Sequence, residues 1–168
     1  MSQFAKRSVC FLLWTALLIA PPVYAYDLES VLGFEDHTEW SICNSNSSNA
    51  TEGTSSAVIN LSGWTTVVSI PLSTIGTVGD TLSFDLWMPT VGQSWSTAKV
   101  IIDAPSIQVW SYDLGELNLQ GFADSQFHNL QYSIPADLAA KFAENYSDMT
   151  ITIALNGPSG EYLLDNMS

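Results

Sequence analysis

The chain has 168 residues, which is enough for one domain with a hydrophobic core and too few for two. It carries 17 acidic and 4 basic residues, and its formal net charge is −13. Because no basic surface can neutralise a run of phosphates, nucleic-acid binding is excluded. Hydrophobic residues make up 46% of the sequence and charged residues only 12%, which indicates a folded chain whose polarity comes largely from Ser, Thr, Asn and Gln.

The N-terminal residues have the pattern of an export signal. Lys6 and Arg7 precede an apolar run over residues 9–20, and small side chains follow two prolines near Ala25. This pattern predicts a secretory signal peptide over residues 1–25 and a single domain over residues 26–168. A membrane anchor is the competing interpretation, but a run of about a dozen residues is shorter than the ~20 needed to span a bilayer. We therefore expect a secreted, extracellular or periplasmic protein with no membrane span after cleavage.

Cysteine usage agrees with a fold that does not depend on disulfides. Cys10 lies in the predicted leader, so cleavage leaves Cys43 alone and no intramolecular disulfide can form. Two readings of Cys43 stay open, a small buried hydrophobic residue or a cross-link between two copies.

The remainder of the chain has the period of β-structure. Apolar and polar residues alternate in short runs separated by Gly, Pro, Asn and Asp, which is typical of half-buried strands. About ten strands without a long helical period predict an all-β protein with two stacked sheets. The predicted strands cover residues 27–35, 56–61, 64–70, 81–88, 98–103, 107–112, 114–119, 127–134, 149–155 and 161–164.

Two segments depart from the strand pattern. Residues 41–56 are rich in Ser and Asn and predict a polar loop. Residues 135–144 place Leu138 and Phe142 four apart, which predicts one short helix packed against the end of a sheet.

Alternation places aromatic side chains on the polar faces of two strands. In residues 81–88 the leucines and Phe84 share one face, so Asp85 and Trp87 lie on the other. The same arithmetic in residues 107–112 places Gln108, Trp110 and Tyr112 outward.

This mixture suits carbohydrate. The C–H face of a sugar ring stacks on an aromatic plate while its hydroxyls bond to amides and carboxylates. The predicted ligand-binding residues are therefore Trp87, Trp110, Tyr112, Asp85 and Gln108. The alternative is that the helix or a loop covers Trp87 and Trp110 and makes a second small core. Among the other tryptophans, Trp95 is expected at the rim of the site and Trp40 and Trp64 in packing roles.

Three fragments together resemble a known family. They are Leu32-Gly33-Phe34-Glu35 followed by Trp40, the Thr54-Ser55-Ser56 entry to an early strand, and Tyr162-Leu163-Leu164-Asp165-Asn166 near the end. This set resembles the secreted jelly-roll β-sandwich of carbohydrate-binding modules, the galactose-binding-like group. The resemblance implies a two-sheet antiparallel jelly-roll β-sandwich with one short helix.

The same resemblance implies a structural calcium ion. In that family a first-strand glutamate and a last-strand aspartate lie on adjacent strands and commonly bind calcium, which here implies Glu35 and Asp165 as ligands. Two carboxylates at one sheet edge repel each other, and a hard oxygen-seeking cation removes that repulsion. The alternative is that both are simply exposed acids at strand ends.

Catalysis is not expected. Asp85 and Asp103 are the acids that could face one cleft as a glycosidase pair, but no glutamate joins them. A lyase site would use arginine, and Arg7 in the leader is the only one. The leading prediction is an exported, non-catalytic module that binds polysaccharide or oligosaccharide. The alternative is an extracellular structural or adhesion protein that uses the same aromatic face for protein contact or self-association.

Overall fold

The computed structural model describes residues 32–41, 44–46, 48–73 and 78–168. Its strands are β1 (Asn44–Asn46), β2 (Ser56–Leu61), β3 (Thr65–Val68), β4 (Thr81–Trp87), β5 (Thr97–Ala104), β6 (Val109–Asn118), β7 (Phe127–Ser133), β8 (Thr150–Asn156) and β9 (Gly160–Asp165). They form a five-stranded sheet in the order β1-β2-β9-β4-β7 and a four-stranded sheet in the order β3-β8-β5-β6. Each strand pair is antiparallel, so the predicted all-β jelly-roll sandwich is confirmed.

The core lies between the two sheets. The pattern along β5 shows why the core forms there. Buried and half-buried residues alternate along the whole strand, so one of its faces lies in the core. Apolar side chains from both sheets meet in one cluster, in which the rings of Phe84 and Tyr132 stack with centroids 6.0 Å apart. The predicted short helix is present as α1 (Ala136–Phe142), and its Leu138 and Phe142 are buried in the same core.

Two predicted strand assignments change. Residues 107–112 and 114–119 were expected to be separate strands, but β6 is one continuous strand that follows a 3-10 turn at Pro105–Ile107. The predicted first strand over residues 27–35 is wrong in its described part, because residues 32–35 are not extended. The short strand β1 lies within the predicted polar loop. The predicted signal peptide, residues 26–31 and Cys43 lie outside the described residues.

No helix in the described part of the chain is long and apolar enough to cross a membrane. Near its start, Trp40 is buried and stacks on Phe34 with ring centroids 4.9 Å apart, which confirms its predicted packing role.

Candidate functional site

The two predicted binding tryptophans do not share a face. Trp87 is half-buried on the outer surface of the five-stranded sheet, where it lies between Leu163 and Phe127. Trp110 belongs to β6, the edge strand of the four-stranded sheet. Because the inner faces of the two sheets pack together, their outer faces point in opposite directions. The prediction of one shared aromatic surface is therefore wrong.

A β-bulge in β6 changes the direction of Tyr112. In the ladder between β5 and β6, Ile102 pairs with Tyr112 and Ala104 with Val109, so two residues of β6 face one of β5. Ser111 adopts a left-handed φ of 42°, and its N–H donates to the Asp103 carboxylate at 2.6 Å. The extra residue interrupts the alternation, so Tyr112 packs against the core while Trp110 stays outside. The predicted outward Tyr112 is therefore wrong.

Three of the five predicted ligand residues nevertheless meet at one place. Gln108, Trp110 and Tyr112 line a cavity of about 250 Å³ between β6 and α1. The 3-10 turn ends at Gln108 in the left-handed region, which turns the chain into β6 directly beside the helix. Trp110 is 68% exposed at this cavity, so neither the helix nor a loop covers it.

Asp85 lies on the other sheet in a closed hydrogen-bond network. It is 8% exposed, and it accepts from the side-chain amides of Asn129 at 2.9 Å and Asn166 at 3.1 Å. Asp165 lies directly opposite it on β9. Asp103 belongs to the four-stranded sheet. Asp85 and Asp103 therefore point to opposite sides of the sandwich and cannot act as a carboxylate pair across one glycosidic bond.

Large exposed aromatic side chains gather on the four-stranded sheet and its adjoining loops. Trp64 directly precedes β3 and is 59% exposed, and Trp95 precedes β5 and is 49% exposed. Both β3 and β5 pair with β8, so both begin at the same end of the sheet. Asn156, the last residue of β8, donates from its amide to the carbonyl of Trp95 at 3.2 Å. Trp110 lies at the other end, beside the end of β5.

The outer surface between these tryptophans is mainly polar, although Ile101 and Val68 also lie on it beside Thr152. We call it the sheet face, and the polar residues that lie on it are Thr66, Thr97, Lys99, Asp103, Asp113, Glu116, Asn118, Thr150, Thr152 and Asn156. The ammonium of Lys99 lies 2.5 Å from the Asp113 carboxylate. That hydrogen bond, together with one from the N–H of Gly115, lowers the pKa of Asp113. The sheet face therefore offers mainly hydroxyl, amide and carboxylate groups.

The length of the sheet face suits an extended ligand. A strand rises about 3.4 Å per residue, so the eight residues of β5 span about 27 Å. An extended polymer with several repeating units fits between the two tryptophan ends. The sheet face is our candidate functional site.

Solved structures share this architecture. A family 28 carbohydrate-binding module specific for non-crystalline cellulose aligns at a TM-score of 0.60 and 15% identity over 88% of this chain and 98% of that one. The xylan-binding module of family 15 aligns at a TM-score of 0.51 and 15% identity, covering 77% and 88%. The fold is that of a β-sandwich carbohydrate-binding module.

A further neighbour supports the same fold. A carbohydrate-binding module of the β-sandwich superfamily, described for promiscuous specificity, aligns at a TM-score of 0.55 and 16% identity over 85% of this chain. This chain spans 60% of that protein's length. No family profile and no curated protein matches the amino-acid sequence. The resemblance to the carbohydrate-binding-module sandwich is thus confirmed at the level of fold.

Loop 51–55 is held by the two predicted calcium ligands. Glu35 accepts from the N–H of Thr54 at 2.9 Å, from its hydroxyl at 2.8 Å, and from the N–H of Ser55 at 3.1 Å. Burial alone raises the pKa of Glu35, but the hydrogen bonds from Ser55 and Thr54 outweigh it and lower the pKa. Gly53 leaves the room for this carboxylate, because a Cβ there would collide with it.

Asp165 holds the start of the same loop. It is fully buried and accepts from the N–H and hydroxyl of Thr51, from the N–H of Glu52 at 3.2 Å and from that of Asn166 at 2.9 Å. Burial raises its pKa, and these hydrogen bonds only partly offset the effect. The alternative interpretation of two exposed strand-end acids is therefore wrong for Asp165. The expected placement on adjacent strands is also wrong, because Glu35 lies outside the sheet.

The chemistry of this loop suits calcium in part. Its two carboxylates are hard oxygen donors that converge on one glycine-containing loop, and calcium takes carboxylate and backbone carbonyl oxygens. Within residues 32–41, 44–46, 48–73 and 78–168, however, no three His, Cys, Asp or Glu side chains gather to hold a metal ion. A calcium ion here would therefore need carbonyl oxygens of loop 51–55 in addition to Glu35 and Asp165.

Trp64 is the exposed residue that the sequence assigned to packing. In an extended strand over residues 64–68, Trp64, Thr66 and Val68 would lie on one side of the strand, and Thr65 and Val67 on the other. Each set contains a threonine and a valine, so alternation alone does not show which set faces the core. The structure buries Val67 and leaves Trp64 outside.

Proposed function

We propose that the protein binds a neutral polysaccharide along the sheet face, without catalysis, after export from the cell. The observation that carries the proposal is the position of the three most exposed tryptophans among the described residues, which flank the sheet face at both ends. Indole plates stack on sugar rings, and the hydroxyl and amide groups between them match sugar hydroxyls. The names of the structural neighbours, modules for cellulose and xylan, point to the same ligand class.

Charge favours a neutral ligand. Lys99 and Lys141 are the basic side chains of the described residues, and the whole chain has a net charge of −13. A polyanionic polysaccharide would be repelled by this field, because like charges raise the free energy of the encounter. The opposite placement of Asp85 and Asp103 supports binding without hydrolysis.

Retention in affinity gels tests the proposal. We expect hydroxyethylcellulose or xylan in the gel to slow the wild-type protein, with an affinity in the micromolar to millimolar range. Trp64→Ala and Trp95→Ala should each weaken binding about tenfold, because each removes one stacking plate. Trp87→Ala is the matched control on the opposite sheet and should leave retention unchanged.

Two outcomes would contradict the proposal. Retention that depends on Trp87 and not on Trp64 would move the site to the five-stranded sheet. No retention by any neutral polysaccharide, together with self-association in size-exclusion chromatography that sugars do not disturb, would favour the protein-contact alternative.

We also propose that calcium stabilises loop 51–55 through Glu35 and Asp165. The ion would offset the negative charge of the two carboxylates that bind this loop. EDTA should then lower the Tm by several degrees and excess calcium should restore it. Glu35→Gln should abolish this response, while Glu161→Gln, an exposed acid on β9, should retain it. A Tm that is insensitive to both EDTA and calcium would reject the ion.

A further inference from the structure

A small cavity lies beside the sheet face at the edge of the sandwich. Its strand wall comes from the start of β6 and its other wall from one side of α1. The side chains that matter are Gln108, Trp110 and Tyr112 on the strand side and Asp137, Leu138 and Lys141 on the helix side. Its volume is about 250 Å³, and α1 forms the side of the cavity that lies opposite the strand.

The helix wall is fixed in place. Lys141 donates from its ammonium to the carbonyls of Ile107 at 3.1 Å and Gln108 at 3.2 Å. Leu138, which also lines the cavity, and Phe142 are buried in the core and anchor the helix there. The cavity is therefore formed before any ligand arrives, which lowers the entropic cost of binding.

The walls of the cavity combine an aromatic ring for stacking with hydrogen-bond donors and acceptors. Trp110 presents an exposed indole. An ammonium has three N–H donors, and Lys141 uses two on carbonyls, so one is left for a ligand. Asp137 is an exposed acceptor one helical turn before Lys141, and Gln108 has an exposed amide that both donates and accepts. A sugar ring with its hydroxyls needs this set of groups.

The size and the charge of the cavity limit the kind of ligand that it can bind. Pockets that enclose drug-sized ligands measure about 300–1,000 Å³, so this smaller cavity holds one ring rather than a run of rings. The carboxylate of Asp137 balances the ammonium of Lys141, and the remaining field of the protein is negative. A neutral ring is therefore favoured over a uronic acid.

We propose that this cavity binds a single neutral pyranose at a chain end or branch, as a distinct subsite that adjoins the Trp110 end of the sheet face. The inference rests on the proposed carbohydrate binding and deepens it. A long chain would lie on the sheet face, with an end or a side residue held against Trp110.

Single sugars test this subsite without the sheet face. Methyl glycosides of glucose, xylose and galactose would be titrated into ¹⁵N-labelled wild-type protein while the indole N–H resonances are followed. The Trp110 resonance, assigned with Trp110→Ala, should shift with at least one glycoside. Asp137→Asn should weaken that titration about tenfold, because it replaces a charged acceptor by a neutral amide. Asp124→Asn, an exposed acid in a distant loop, is the matched control and should have no effect.

The outcomes separate this inference from the broader proposal. If polysaccharide retention depends on Trp64 and Trp95 but no glycoside shifts Trp110, the subsite is wrong and the sheet face stands. A glycoside that shifts the Trp64 or Trp95 resonance and not that of Trp110 also overturns the subsite. If neither polysaccharide nor glycoside binds, both proposals fail.

Discussion

Gly92→Ala should destabilise the protein by about 3 kcal/mol, at the upper end of the usual cost of overpacking. A Cβ at Gly92 would collide with the backbone carbonyl of Leu119, and backbone cannot move aside as a flexible side chain can. Gly92 also donates to the carbonyl of Phe122 and accepts from the N–H of Gly121, each at 3.0 Å. These bonds join the loop before β5 to the loop after β6.

The same substitution should weaken polysaccharide binding. Trp95 lies three residues after Gly92 in the displaced loop, so its indole would leave the end of the sheet face. Urea unfolding measures the stability loss, and affinity gels measure retention. Gly79→Ala is the matched control, because its nearest atoms would lie 4.0 Å from the new Cβ and its φ is not positive. If the two variants were equally stable, the Leu119 carbonyl would have to move aside at little cost, and the prediction would be wrong.

Asp165→Ala should have a comparable effect. The substitution removes the acceptor for the N–H groups of Thr51, Glu52 and Asn166, and a buried donor without a partner costs about 1–3 kcal/mol. Part of this loss is offset because the charged carboxylate no longer has to be buried. We expect a net loss of about 3 kcal/mol in urea unfolding and faster amide exchange in loop 51–55.

Asp165→Asn separates the causes. An asparagine oxygen in the place of Oδ2 keeps the bonds from Thr51 and Glu52, so hydrogen bonding alone predicts a smaller loss than for alanine. If calcium also binds there, both variants should lose the response of the Tm to EDTA. If amide exchange in loop 51–55 were as slow in Asp165→Ala as in the wild type, Asp165 would not hold the loop.

Much of the fold follows from local patterns. Alternation located β2, β4, β7, β8 and β9 to within a residue or two, because one buried face per strand imposes period 2 on the sequence. The spacing of Leu138 and Phe142 located α1, because residues four apart share one side of a helix. The residues before Trp40 were misassigned because apolar burial there comes from an irregular segment, in which Phe34 stacks on Trp40.

The candidate site was predicted less well, for reasons that lie outside any single strand. Alternation shows which residues share a face but not which sheet receives the strand, so Trp87 and Trp110 were placed together. The bulge that turns Tyr112 inward depends on the Asp103 carboxylate of the neighbouring strand.

The sequence by itself determined the all-β class, the strongly acidic composition and most strand boundaries, because composition and period act locally. The tertiary structure decided which tryptophans share a surface. That outcome depends on the order of the strands in the two sheets, because pairs such as β2 with β9 and β3 with β8 join residues far apart in the chain.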